Sequence, residues 1–391
     1  MGFKNIPSFE LGGKKISIVQ GGMGVGISLG GLASAVVNEG GLGNIAAVGV
    51  AELDGSFYKN LEENKREIER TPLENMEEIY NQIYAYSNKQ SLKKLILETR
   101  AKCTGDGLLG VNVMSALSDS RSLVEGAIEA GIDVISIGAG ILRNFPEHLR
   151  ETKTMIIPII NSAKVARFFL NQSDKLGYFP SAFVVEGPMA GGHLGYSFKQ
   201  LEDNNFVVHG LERIIPEVVE AVRFYEDKFR RKIPVLAAGG IFYGGDIVKY
   251  LELGATGVQI ATRAMTTENC DASKGFKQAI LNCKKEDLGI IHSPVHMPGR
   301  VVRRGNNFLD RVERGEEIPY QCPYHCLVTC DPTESPYCIA RALLNARVGN
   351  FDEGFPFAGA NAWRCKEDGI ISVKELFEKI DKEYVSGKRC E

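Results

Sequence analysis

Eight short apolar runs separated by helical stretches constrain this chain more than any other feature. They fall at 16–20, 42–48, 108–114, 133–138, 154–160, 182–187, 234–240 and 257–262. Each is too short for a buried helix and rich in Val, Ile and Leu, so each reads as a strand. They are apolar on both faces, as strands of a parallel sheet covered by helices must be. From residue 108 onward the intervening stretches SRSLVEGAIEAG, SAKVARFFLNQSDKLG, IPEVVEAVRFYEDKF and GGDIVKYLELG carry apolar residues at helical spacing. A connection through Phe145-Pro146 joins the fourth run to the fifth, and Gly177 closes the second of these helices. Eight strand–helix units favour a closed (β/α)8 TIM barrel over an open sheet.

A barrel of this kind gathers its function at the carboxyl ends of its strands. The polar and glycine clusters lie there: Gln20-Gly-Gly-Met23 after the first strand, Asn112 in the third, Gly191-Gly192-His193 after the sixth, Gly239-Gly240 after the seventh, and Gln259 to Thr262 at the eighth. An isolated GGH is usually a turn. At the mouth of a barrel it places bare backbone and a group that exchanges protons near neutrality beside a ligand, which makes His193 the best catalytic candidate. Loops after the last two strands of such barrels commonly hold a phosphate. Here Gly239, Gly240 and Thr262 fit that task, with the helix starting near Gly245 expected to aim its positive end at the anion. A dinucleotide fold at the first strand is disfavoured. Gly22, Gly24, Gly26 and Gly30 do not make GxGxxG, and the next strand ends without the required acidic residue.

The formal net charge of -3 offers no basic field for nucleic acid or anionic lipid. No apolar run approaches membrane-spanning length and the first residues lack a signal-peptide core, so a soluble cytoplasmic protein acting on a small molecule is expected. Residues 52–102 interrupt the alternation with charge-dense helical sequence. Leu73, Met76, Ile79, Tyr80, Ile83 and Tyr84 form a stripe at helical spacing, read as a packed face, with a lid or a homodimer contact as the functional alternative. The expected organisation is a barrel over 1–300, with 52–102 as a helical insertion, and a cysteine-bearing extension over 301–391 too poor in apolar residues for its own core. Within that extension GFPFAGANAWR (354–364) is expected to fold back over the barrel mouth.

Four of the nine cysteines lie close together, as Cys322-x3-Cys326-x3-Cys330-x7-Cys338. Four thiolates are how iron–sulfur clusters and structural zinc are held, but the spacing matches neither the usual zinc pairs nor the common ferredoxin runs. Three readings stay open: an iron–sulfur or zinc site, reduced cysteines in a packed extension, or redox-active thiols. His292 and His296 stand four apart, but Pro294 between them argues against a helical zinc pair.

The series IVQGGMG, LGVNVM, VVEGPMAGGHLG, VLAAGGI and GVQIATR, in that order, resembles the nitronate monooxygenase (2-nitropropane dioxygenase) family. That family is close to the flavin enoyl-acyl-carrier-protein reductase II enzymes. The resemblance spans about residues 6–300 and implies one FMN in the barrel. It implies that Gly22 and Met23 contact the ring region and Asn112 the ring edge. Gly191, Gly239, Gly240, Gln259, Ala261 and Thr262 would surround ring or phosphate, and His193 matches the active-site histidine. Ala261 departs from the glycine frequent there. The implied activity is oxidation of alkyl nitronates. The alternatives are an NAD(P)H-dependent enoyl reductase acting on an acyl thioester and, in another class, a non-catalytic flavin or metal sensor using the cysteine run. An inosine-monophosphate-type barrel would instead expect a cysteine after the sixth strand.

Overall fold

The computed structural model describes residues 3–140, 151–176, 179–202, 209–322 and 324–390; Phe145-Pro146 and Gly177 lie outside the described residues. Eight parallel strands close into a barrel. They are β1 (Ile18–Gln20), β2 (Leu42–Ala46), β3 (Leu108–Met114), β4 (Val134–Gly138), β5 (Met155–Ile160), β6 (Phe183–Glu186), β7 (Val235–Ala238) and β8 (Gly257–Ile260). They pair in chain order, and β8 closes on β1. The two-residue period divides each strand between two surfaces. Val19, Leu42, Leu108, Val134, Ile157, Val184 and Leu236 fill the interior, while Ile18, Val185, Ala237 and Val258 pack outward against helices.

Two boundaries differ from expectation. The first apolar run splits at Ser17. Lys14–Ile16 pairs antiparallel with Phe9–Leu11, and this hairpin puts Phe9, Leu11 and Ile16 into the interior cluster, plugging the barrel. The runs at 234–240 and 257–262 leave the ladder early, at Ala238 and Ile260. Gly239 and Gly240 turn away with φ of +91° and +86°, a conformation that side chains resist.

Above the apolar interior lies a polar layer that satisfies itself. The Asn44 backbone N–H donates to Gln20 Oε1 at 2.8 Å, Asn44 Nδ2 to the Gln20 carbonyl at 2.7 Å, and Ser136 Oγ to Asn44 Oδ1 at 3.3 Å. All three residues are fully buried. Full pairing is what lets such groups remain inside.

Between β2 and β3 lie short helices at Val50–Leu53, Ser56–Glu63 and Lys65–Arg70, then a long one at Met76–Arg100. The long helix packs between Gly30–Asn38 and Ser120–Glu129, within the ring around the barrel. Of its stripe, Ile83 and Tyr84 are buried, whereas Leu73, just before it, is 91% exposed. Tyr84 stacks on Tyr324, ring centroids 4.3 Å apart, and meets Phe57 edge-on. This stripe therefore receives the C-terminal segment.

The last residues return to the barrel. Arg263, just past β8, is buried and paired with both Asp368 and Glu383. That network fastens the helix Val373–Ser386 beside Gly244–Glu252. Asp381 of the same helix accepts the backbone N–H groups of Lys4, Asn5 and Ile6. No described helix is long and apolar enough to cross a membrane.

Candidate active site

The carboxyl ends of the strands open into a cavity of about 260 Å³. Its lining brings together every residue that the sequence pointed to at the mouth: Gly22, Met23, Asn112, Gly191, His193, Gly239, Gly240, Gln259, Ala261 and Thr262. Barrel closure is the physical reason. Eight parallel strands deliver all their carboxyl ends to one side, so residues 240 positions apart meet there.

His193 is held from several directions. Gly192–His193 adds an edge strand to the hairpin Leu288–His292 and Pro298–Val302, pairing with Gly299 and Arg300. Its Nε2 lies 2.7 Å from Ser293 Oγ in the turn of that hairpin, and Phe357 meets its ring edge-on at 5.0 Å. The remaining surface of the imidazole faces the cavity. Burial lowers its pKa to about 4, so the ring is neutral near pH 7. Ser293 is exactly the kind of partner that local sequence reading misses, since it lies 100 positions away.

Arg300 clamps the loop from behind. Its Nη2 donates to the Pro188 carbonyl at 2.8 Å and its Nε to the Ala190 carbonyl at 3.1 Å. Burial lowers its pKa to about 10, which leaves it cationic near neutrality. Among the described residues no Lys or Arg lines the cavity.

The donor set fits a flavin. Gln259 Oε1 is buried without a hydrogen-bond partner among the described residues, and the residue lines the cavity. An orphaned acceptor costs about 1–3 kcal/mol, and a flavin ring carries an N–H that would relieve it. At Gly239 and Gly240 an added Cβ would lie 2.8 Å from the Gly187 carbonyl oxygen and 2.9 Å from Met189 Cβ. Both glycines let the loop 187–190 pack against this wall, and they leave bare backbone where a phosphate would bind. Thr262 Oγ1 accepts the Gly359 N–H at 3.1 Å and keeps its own proton to donate.

One expectation is corrected. The helix Gly244–Glu252 does not offer its amino end to the cavity. The Gly244 N–H goes to Glu383 Oε2 and the Gly245 N–H to the Lys388 carbonyl, so the C-terminal residues have taken those donors. A short 3-10 helix, Thr262–Thr266, begins at the cavity instead.

The C-terminal segment forms the other wall. Leu327, Ile339, Leu343, Phe355 and Phe357 line it, and the stretch 354–364 does cover the mouth. The Ala360 N–H donates to the Met189 carbonyl, and Asn361 Nδ2 to the Gly240 carbonyl at 2.7 Å.

Cys322, Cys326, Cys330 and Cys338 are free thiols, and among the described residues no three His, Cys, Asp or Glu side chains are placed to hold a metal. Residues 326–328 pair with the loop after β3 through Leu117–Leu327, Ser118 and Ala116. This turns Cys326 into the cavity wall, while Cys330 lies beside Ser335 and Cys338 begins the helix Ile339–Val348. Burial raises the thiol pKa of Cys322, Cys326 and Cys338, favouring the protonated form. His325 is occupied by Glu77 and the Cys330 carbonyl. His292 ends a strand, stacked on Phe198.

The sequence model of the nitronate monooxygenase family matches residues 8–383. A carboxyl-CoA dehydrogenase of Mycobacterium tuberculosis, named for its hydroxy-methyl-oxo-octahydroindene substrate, is 28% identical over 217 residues, 56% of this chain and 54% of that protein. A probable nitronate monooxygenase of Staphylococcus saprophyticus is 28% identical over 208 residues, 53% of this chain and 54% of its own. The chain thus spans about half the length of these relatives. Among solved structures, FabK from Thermotoga maritima superposes with a TM-score of 0.66 at 24% identity, covering 95% of this chain and 93% of that one, a likeness of fold.

Proposed function

This chain belongs to the nitronate monooxygenase family, and on that premise we propose that it is an FMN-dependent oxidoreductase that oxidises alkyl nitronates in the cavity at the barrel mouth. The observation that carries the reading is His193, neutral and held by Ser293, opening onto the same cavity as the bare-backbone loops of β7 and β8. Gln259, Gly239, Gly240 and Thr262 would hold the flavin, which supplies a two-electron acceptor when bound. His193 orients the nitronate head at the imidazole nitrogen, and would take the proton of a nitroalkane that entered in its neutral form. Arg300 keeps the loop, and with it the imidazole, in place through the Pro188 and Ala190 carbonyls. The aromatic wall at Phe355 and Phe357 excludes water.

A second reading is an NAD(P)H-dependent enoyl reductase. It is favoured by a wall of Met23, Val25, Met114, Ile159, Phe355 and Phe357, with no cationic side chain among the described residues, which suits a neutral acyl thioester. The relatedness to a CoA-thioester dehydrogenase points the same way.

The deciding experiment is anaerobic. FMN-loaded protein is mixed with ethylnitronate, and separately with NADH and NADPH, while flavin absorbance is followed. Bleaching by ethylnitronate is expected. Bleaching by a reduced nicotinamide alone selects the second reading, and no bleaching by any of the three overturns both.

A further inference from the structure

Glu186 ends β6 in register beside Ala238 of β7, which is itself paired with Gln259 of β8. Two residues earlier, Val184 belongs to the interior cluster. By the strand's period Glu186 therefore also faces inward, in the uppermost layer, and it lines the cavity together with His193. Among the described residues its carboxyl has neither an ion pair nor a hydrogen bond. The neighbouring polar groups are committed elsewhere. The Tyr196 O–H donates to the Glu186 backbone carbonyl at 2.7 Å, and the Arg300 guanidinium serves Pro188 and Ala190. A carboxylate in such a place, half-buried in the cavity wall, has lost part of its water and gained no partner, so the neutral acid is the favoured form.

We propose that Glu186 serves the substrate as a neutral carboxylic acid, donating its O–H to an oxygen of the bound molecule and admitting an anionic head group only while protonated. The proposal rests on reading this cavity as the substrate site. A nitronate is a compact oxyanion, and among the described residues no cation lines the cavity to offset it. Beside an ionised Glu186 the two negative charges would repel across a water-poor space. Beside the neutral acid the same approach becomes a charge-assisted hydrogen bond. A thioester carbonyl would accept the same proton.

Among the described residues that line the cavity, Glu186 is the one whose charge changes near neutrality. Burial raises its pKa to about 7. His193, lowered to about 4, is already neutral there. Burial pushes Tyr196 and Cys326 upward, so both stay protonated, and Arg300, at about 10, stays charged. Asp119, also raised to about 7 by burial, is not among the lining residues.

The test has two arms on FMN-loaded protein. Infrared difference spectra across about pH 6 to 8 should show a protonated-carboxyl band that titrates near neutrality. The band should vanish in Glu186→Gln and survive in Asp119→Asn. In the second arm, calorimetry measures nitrate, an inert planar oxyanion shaped like a nitronate head. Above pH 7 its affinity should fall about tenfold per pH unit, with a proton taken up from buffer on binding. In Glu186→Gln, whose amide still donates, the affinity should be flat with pH. Absence of a Glu186-dependent band, pH-independent nitrate binding, or no nitrate binding at pH 6 each overturns the proposal. The wild-type titration and its proton uptake carry the test even if the variant fails to fold. A titrating band with pH-linked nitrate binding, but no bleaching by ethylnitronate, upholds the role of Glu186 and removes the nitronate assignment alone.

Discussion

Two stretches rich in reactive side chains reach the same cavity, the loop 187–193 and the run 322–338, and they arrive there by different physics. The loop leaves the end of a barrel strand, so its position follows from β6 and the hydrogen-bonded ladder on both sides of it. Its histidine is then fixed by an edge-strand pairing and a serine. The cysteine run has little regular structure. It is placed by a bridge to the loop after β3, by Tyr324 stacked on Tyr84, and by a Tyr324 hydroxyl bonded to Glu52. Those contacts leave the four thiols within electrostatic reach of one another, and of the four only Cys326 meets the cavity. A strand end fixes what it carries through the ladder beside it, whereas an irregular segment is placed only by the packing it finds.

The largest expected effect separates the two stretches outright. His193→Ala should lower kcat/KM for the reducing substrate by about 10²–10⁴-fold, with FMN content and melting temperature retained. Turnover near the wild-type rate would reduce the loop to a wall of the cavity, no more chemical than the cysteine run.

A smaller effect tests whether the two regions are coupled. An added Cβ at Gly191 would lie 2.5 Å from the carbonyl carbon of Ala358 and the nitrogen of Gly359. Backbone on that side has no rotamer in which to retreat. Gly191→Ala should therefore destabilise the protein by about 1–3 kcal/mol, read by denaturant unfolding of the FMN-loaded form. An unchanged midpoint would mean that the C-terminal cover moves independently of the loop.

The smallest effect is expected at the thiols. Cys322→Ser combined with Cys330→Ser should shift stability by no more than about 0.5 kcal/mol, and elemental analysis should find neither iron nor zinc bound in stoichiometric amount before or after. Loss of a stoichiometric metal together with several degrees of melting temperature would reinstate the cluster reading and erase the contrast drawn above.

The legible part of the site is the part that regular structure carries. Gly22, Met23, Asn112, Gly191, His193, Gly239, Gly240, Gln259, Ala261 and Thr262 all sit at or just beyond strand ends, and all line one cavity. Glu186 was legible as a position but not as a chemical group. Only its neighbours reveal that its carboxyl lacks a partner. Ser293 and Arg300 gave no local signal, because what matters is the hairpin Leu288–His292 and Pro298–Val302 folding back onto Gly192–His193. The stretch 354–364 announced itself by its aromatics and glycines, and its contacts with Met189, Gly240 and Thr262 bear that out.

Sequence alone determined the barrel and the face on which its chemistry gathers. Eight doubly apolar runs can be buried in parallel only by closing on one another, and closure sends every carboxyl end to the same side. Tertiary structure decided what closes that face. The amino end of Gly244–Glu252 was taken by Glu383 and Lys388, Cys326 was turned to the cavity, and an aromatic cover was laid over His193. Those outcomes turn on long-range packing and on which donor reaches which acceptor first, and neither is written in the spacing of residues along a chain.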